Sequence, residues 1–229
     1  MVRPTKHAQI PFLKEKIKAH AWQQLAAVGA GSLSLRAIAR ELALSAPAIY
    51  NHYADRDALV TALITDAYAS LGDYQLAALE TIPADDPRGR LRATGTAYRT
   101  WALEMPQRYQ LIFGTPIPGY QAPPDILPVA GRSLRALVSV IDQLAAAHLL
   151  NTTGLPIVMP AALPMFAMWQ QHTGAQNPAA LTVAIAIWGR VHGLVSLEIA
   201  RSIPMFGPTG GGLYEYELDA IAAAYIISM

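Results

Sequence analysis

Between Ser34 and Arg56 the chain sets a run of side chains able to donate hydrogen bonds or carry positive charge: Ser34, Arg36, Ser45, Tyr50, Asn51, His52 and Arg56. Hydroxyls, a ring N–H and a guanidinium are groups that hold phosphate oxygens, which fixes register on a duplex without reading its sequence. Ser34, Ser45, Tyr50, His52 and Arg56 suit that role. Base readout asks for other chemistry. Arg36 can donate a bidentate pair to guanine, Asn51 can pair with adenine, and the small apolar surface of Ala46, Pro47 and Ala48 suits thymine methyl groups. The segment is therefore expected to recognise double-stranded DNA.

Such contacts require a rigid frame. Leu35, Ile38, Ala39 and Leu42 recur at helical spacing and form an apolar face, with Ser34 placed to cap the helix that carries them. Ser45 stands at the cap of a second helix, whose first turn holds Pro47 where the missing N–H matters little. Burying Ile49 leaves Tyr50, Asn51 and His52 available to a partner. The pattern is a helix-turn-helix.

From about Phe12 to Leu63 the sequence resembles the TetR family of bacterial one-component regulators. Ile49-Tyr50-Asn51-His52-Tyr53 followed by Asp55-Arg56-Asp57-Ala58-Leu59 is similar to that family's "LY-x-HF-x-x-K-x-x-L" signature. Three residues depart from the family pattern: Ala43 stands where Gly is usual in the turn, Ala48 where Thr is common, and Arg56 where Lys is usual. Arg56 keeps the charge a phosphate contact needs. Ala48 lacks a hydroxyl, which shifts readout towards other side chains. An alanine forced to positive φ costs about 1–2 kcal/mol, so the turn is either slightly altered or Ala43 ends the helix in a relaxed geometry. A second, local resemblance lies in Trp188-Gly-Arg-Val-His192-Gly193 and in Pro106-Gln-Arg-Tyr-Gln-Leu-Ile-Phe113, which look like a TetR subgroup named for a Trp-His-Gly signature.

The family resemblance implies an all-α protein: a three-helix helix-turn-helix domain over residues 1–60 and a helical effector-binding and dimerisation domain over residues 61–229. It implies a homodimer that binds a palindromic operator, usually as a repressor, and is released by a small-molecule effector. Segments 184–199 and 217–227 are the candidate dimer helices, with Gly189 and Gly193 at i and i+4 allowing close approach; ordinary packing within one chain is the alternative.

Bulk properties agree with this reading. The 229 residues are 53% hydrophobic and only 14% charged, which suggests that some surface is buried against another subunit. Residues 1–60 carry a balance of +4 and residues 61–229 of −3, within a net charge of +1, so the basic end is the expected DNA end. All lysines lie at or before Lys18; Arg3, Lys6, Lys14, Lys16 and Lys18 could add phosphate contacts or form a solvated helix face. Without cysteine, disulfides, thiolate metal sites and thiol redox sensing are excluded. The start of the sequence shows no apolar run after its basic residues, and the longest apolar stretch, Leu155 to Trp169, is broken by Pro156, Pro160 and Pro164. A cytoplasmic protein with no membrane partner is the expectation.

Helical pattern and proline punctuation predict further helices near 11–28, 55–79, 87–104, 106–113, 124–150, 160–172, 178–202 and 214–228, with no strand signal. A helix over 55–79 would run from one domain into the other as a rod. By resemblance the effector pocket lies among the middle helices, where Tyr98, Trp101, Tyr109, Phe113, Met165, Met168, Trp169 and His172 could line an apolar cavity. A neutral or weakly polar ligand fits their composition, with Arg99, Arg108, Arg135, His148 or His172 able to orient a carboxylate. His148, His172 and His192 lack H-x-x-x-H spacing, so no metal or cofactor is expected, and His192 reads as a packed, hydrogen-bonded histidine. An all-helical enzyme is disfavoured, because there is no GxSxG, no glycine-rich phosphate loop after a strand and no cysteine nucleophile. A constitutive DNA-binding protein that senses no ligand remains the main alternative.

Overall fold

Helices begin where the sequence supplies a cap. In the computed structural model, which describes residues 13–156, 164–202 and 210–227, Ser34 Oγ accepts from Ala37 N at 3.3 Å, Asp55 Oδ1 from Ala58 N at 2.7 Å and Asp86 Oδ1 from Gly89 N at 2.7 Å. Asn177 Oδ1 does the same for Ala179 N at 2.8 Å. Each bond satisfies an amide that the helix itself leaves unpaired.

Ten α-helices follow among the described residues: α1 Leu13–Val28, α2 Leu35–Glu41, α3 Ala46–Tyr50, α4 Arg56–Glu80, α5 Pro87–Glu104, α6 Pro106–Phe113, α7 Leu127–Ala146, α8 Pro164–Thr173, α9 Pro178–Ile199 and α10 Gly211–Tyr225. The fold is all-α, and its extended pairing among the described residues is an isolated antiparallel bridge between Leu150 and Ile226.

Two expected helices are shorter than their sequence pattern. The segment 124–150 opens with a 3-10 turn, Pro124–Ile126, and its helix stops at Ala146. His148 takes φ +59°, and Leu149 N turns back to Leu144 O at 2.9 Å. Leu149 O then accepts from Ile227 N at 2.9 Å, so the residues after α7 are held by the end of α10 instead of extending the helix. Likewise α9 ends at Ile199, because Arg201 adopts φ +54° and Ser202 N returns to Leu197 O at 2.8 Å. The helix expected over 160–172 starts, within the described residues, at Pro164; residues 157–163 lie outside them, as do Arg3 and Lys6.

Packing divides into two apolar cores that share α4. Ile17, Ile38, Ile49, Leu59 and Leu63 belong to the first, with Leu71, Trp101, Ile141, Leu181 and Ile221 in the second. The expected division near residue 60 therefore falls inside a continuous helix of 25 residues, roughly 37 Å long. Close helix contacts depend on two glycines. A Cβ on Gly72 of α4 would lie 3.0 Å from the Arg132 carbonyl of α7, and one on Gly131 of α7 would lie 2.6 Å from the His172 Cβ of α8. Among the described residues, helix α9 is long and apolar enough to cross a membrane by length and composition. Its apolarity is accounted for by packing, since Leu181, Val183, Ala184, Ile187, Val191 and Val195 are buried in the second core.

Candidate nucleic-acid interface

α2 and α3 meet through a tight turn at Ala43. This residue has φ +52°, while Leu44 N bonds Ala39 O at 2.8 Å and Ala43 N bonds Arg40 O at 3.1 Å. That is the left-handed helix ending usually supplied by glycine. The turn keeps the usual geometry, and the strain falls on the alanine.

The turn sets α3 on the first core through Ile49, which is fully buried, and Tyr53, at 7% exposure. Its opposite surface is open. Arg36, Ser45, Pro47, Tyr50 and Asn51 are exposed, and Ala48, His52 and Arg56 are half-buried. Ala46 begins α3, although its side chain lies outside the described set. Tyr50, at 40% exposure, does not cover the core as an aromatic in this position could. Ser34 spends its hydroxyl oxygen on the α2 cap, whereas Ser45 holds the cap position of α3 without a side-chain cap bond. Arg56 lies 3.4 Å from Asp57. Glu41 is not a partner for Arg36: it faces His20 Nδ1 at 3.1 Å and Gln24 Nε2 at 3.5 Å. Gln24 Oε1 in turn accepts from Ser34 N at 3.2 Å, tying α1 to the start of α2. The motif's spacing does not expose this brace, because it joins residues far apart in sequence.

Behind the exposed face, α1 is tied to α4 and α6. Lys18 bridges Asp66 at 2.7 Å and Glu15 at 3.0 Å. Burial works against the Lys18 ammonium, but the two carboxylates outweigh it and hold the group above its ordinary 10.5. Arg108 of α6 stacks over Trp22 of α1, 5.2 Å from the ring centroid. Between the end of α1, α6 and the end of α9 lies an open cleft of about 460 Å³ whose walls include Leu25, Gly29, Tyr109, Phe113 and Ser196.

On the inner side of α6, Tyr109 and Phe113 join Tyr98, Trp188 and His192 in an aromatic cluster. His192 stacks on Trp188 with ring centroids 4.7 Å apart. Its Nδ1 lies 2.8 Å from Tyr98 Oη and 3.1 Å from Tyr109 Oη; Tyr109 Oη also lies 2.6 Å from Ser196 Oγ. Ser196 Oγ is 3.4 Å from Nε2. Burial pushes the ring below its ordinary 6.5. A neutral imidazole that accepts at Nδ1 and donates from Nε2 satisfies this arrangement. Burial also raises Tyr98 and Tyr109, so both phenols stay protonated. The hydrogen bonds of His192 thus run to α5, to α6 and to Ser196 of its own helix.

Of the residues considered for an effector pocket, Tyr98, Tyr109 and Phe113 come together in this cluster. Trp101 is fully buried beside them and donates to Ser70 Oγ at 3.0 Å. Trp169 packs half-buried against the second core, and Met168 is half-buried on the same helix. His172 sits at the α7–α8 contact, where its carbonyl accepts from Arg135 at 3.2 Å. Met165 is 65% exposed and His148 is exposed beyond α7, so neither joins the cluster. Arg99 is engaged with Glu198 through two bonds of 2.8 and 2.6 Å.

Comparison with known proteins accounts for both halves of the chain. Residues 17–63 match the family model of bacterial regulatory proteins of the tetR family, and residues 91–221 match the tetracyclin repressor-like C-terminal domain. The HTH-type transcriptional regulators Rv1816 of Mycobacterium tuberculosis and Mb1846 of Mycobacterium bovis are each 33% identical over 190 residues, spanning 82% of this chain and 80% of theirs. The crystal structure of SCO4313, described as a regulatory protein, superposes with a TM-score of 0.73 at 37% identity, covering 92% of this chain and 95% of that one. A Rhodococcus sp. RHA1 protein of unknown function has the same fold, with a TM-score of 0.74 at 22% identity over 99% of this chain and all of its own. With its helix-turn-helix, its helical C-terminal domain and these relatives, the chain belongs to the TetR family of DNA-binding transcriptional regulators and is not an enzyme.

Proposed function

We propose that the protein is a cytoplasmic, homodimeric repressor of the Trp-His-Gly subgroup that binds a palindromic operator and is released by a small, largely apolar effector. The position of α6 carries this reading. One short helix holds Arg108 against Trp22 of the DNA-binding half and Tyr109 and Phe113 against His192 of α9. A ligand that displaces the aromatic cluster must therefore move a helix packed on α1, and through it the recognition helix.

Dimerisation is supported by the outer face of α9. A Cβ added at Gly189 or Gly193 meets nothing within 4 Å, and Leu197 and Tyr216 expose 42% and 69% of their surface. A second subunit against α9 and α10 would cover that face. Two recognition helices then engage half-sites about one helical turn apart, and spreading them removes simultaneous contact. To take the operator-bound population from 99:1 to 1:99, the effector must prefer the released state by about 5.5 kcal/mol. Ser34, Ser45, Tyr50, His52 and Arg56 hold phosphates; Arg36, Ala46, Pro47, Ala48 and Asn51 face the bases.

A constitutive regulator is the second reading, favoured by the tight packing of the second core, whose cavity is only about 20 Å³. Selection from random duplex DNA at about 150 mM salt, where phosphate contacts alone are weakened, tests the first part. Recovery of a palindrome is expected. Recovery of no motif would overturn the operator assignment. Small molecules that bind the protein without altering its affinity for the selected site would favour the constitutive reading.

A further inference from the structure

We infer that the cavity among α4, α5, α7, α9 and α10 is a binding site for a neutral, mainly aliphatic molecule that donates a hydrogen bond, with the Gln75 side-chain carbonyl as its anchor. The inference rests on the ligand-responsive reading above and names the chemical class of the effector.

Gln75 of α4 is 5% exposed and lines the cavity. Its Nε2 donates to Thr94 O at 3.4 Å, while its Oε1 has no partner among the described residues. An unpaired acceptor in an apolar interior is unfavourable, and an incoming donor removes the penalty. The hydroxyls of the wall have already committed their hydrogens. The Thr94 hydroxyl donates to Leu91 O at 2.8 Å and the Ser133 hydroxyl to Ala130 O at 2.6 Å. The Tyr98 hydroxyl lies 2.8 Å from His192 Nδ1. Gln75 Oε1 is therefore the acceptor of this wall left without a partner among the described residues, and a ligand with only acceptors would leave it so.

Charge and shape narrow the class further. Among the described residues no charged side chain lines the cavity; Leu91, Leu137, Ile187 and Leu218 give it aliphatic walls. A full charge there would be desolvated without a counter-charge. The resting volume of about 20 Å³ is that of a single water site. A larger guest enters by moving Leu134 and Trp188, the two large half-buried side chains of the wall. Since Trp188 stacks on His192, this movement disturbs the contacts that hold Tyr98 and Tyr109, and so reaches α6.

Cyclohexanol and cyclohexanone test the donor requirement, being similar in size and differing in whether they can donate. Affinities measured by ligand-observed NMR on the full chain are expected to favour the alcohol by about tenfold, the ratio for one hydrogen bond to a buried acceptor. Gln75→Leu and Gln75→Met are each expected to bring the two affinities together. Equal binding to the wild type, failure of both molecules to bind, or an alcohol preference that survives in both variants would overturn the inference. Operator titrations run in parallel separate the two claims. Donor preference without a change in operator affinity supports the cavity assignment and counts against ligand control. Loss of operator affinity without donor preference does the reverse.

Discussion

The Arg108 guanidinium lies 5.2 Å from the centroid of the Trp22 ring, while the next residue, Tyr109, reaches Ser196 and His192 in α9. Consecutive residues of one short helix thus contact the DNA-binding half and the C-terminal half. Replacing Arg108 by Ala, Trp22 by Leu, and both together is expected to give a coupling of about 0.5–1 kcal/mol in chemical denaturation. Strictly additive effects would show that the stacked pair contributes nothing in solution.

Tyr50 and Arg36 are both exposed but suit different tasks. Tyr50→Ala is expected to weaken binding similarly on operator and random DNA. Arg36→Ala is expected to cost about 1–3 kcal/mol on the operator and to relax discrimination at a single base pair. Competition binding with operator variants checks this, and equal losses on all DNA for both substitutions would contradict the division of roles.

At Ala43, φ is +52° in a helix ending whose hydrogen bonds are intact. Ala43→Gly relieves the left-handed strain, although glycine costs entropy in the unfolded chain. A net gain of up to about 1 kcal/mol is expected, which in a chain of this size raises the melting temperature by roughly 2–4 °C. A fall in melting temperature would mean that the turn is not strained.

His192 is held below its ordinary 6.5 by burial among Tyr98, Tyr109, Phe113 and Trp188. The unfolded chain therefore takes up this proton at higher pH than the folded one. The stability from the buried neutral ring is complete above pH 6.5 and is lost as pH falls towards the lower folded value. His192→Gln, which cannot titrate, is expected to show a shallower loss of melting temperature on acidification from pH 7 to about 5.5. Parallel pH profiles for the two proteins would rule out the contribution.

Much of the helical frame was legible because local chemistry dictates it. Pro87–Glu104 and Pro106–Phe113 form as their proline starts and stop signals require. The segment 124–150 could not be bounded from sequence, since its helix ends where Leu149 finds Ile227, 78 positions later in the numbering. The pocket candidates were chosen by residue type, which cannot distinguish Tyr98, inside the aromatic cluster, from the exposed Met165.

By itself, the sequence determined the helix-turn-helix and the all-helical class, because caps, turns and apolar spacing act over a few residues. Only the tertiary structure decided that Gln24 braces Ser34, that Arg108 meets Trp22 and that Gln75 keeps an unpaired carbonyl inside the second core. Those relationships join residues from different helices, and how helices pack depends on side-chain volumes and partners that no local pattern encodes.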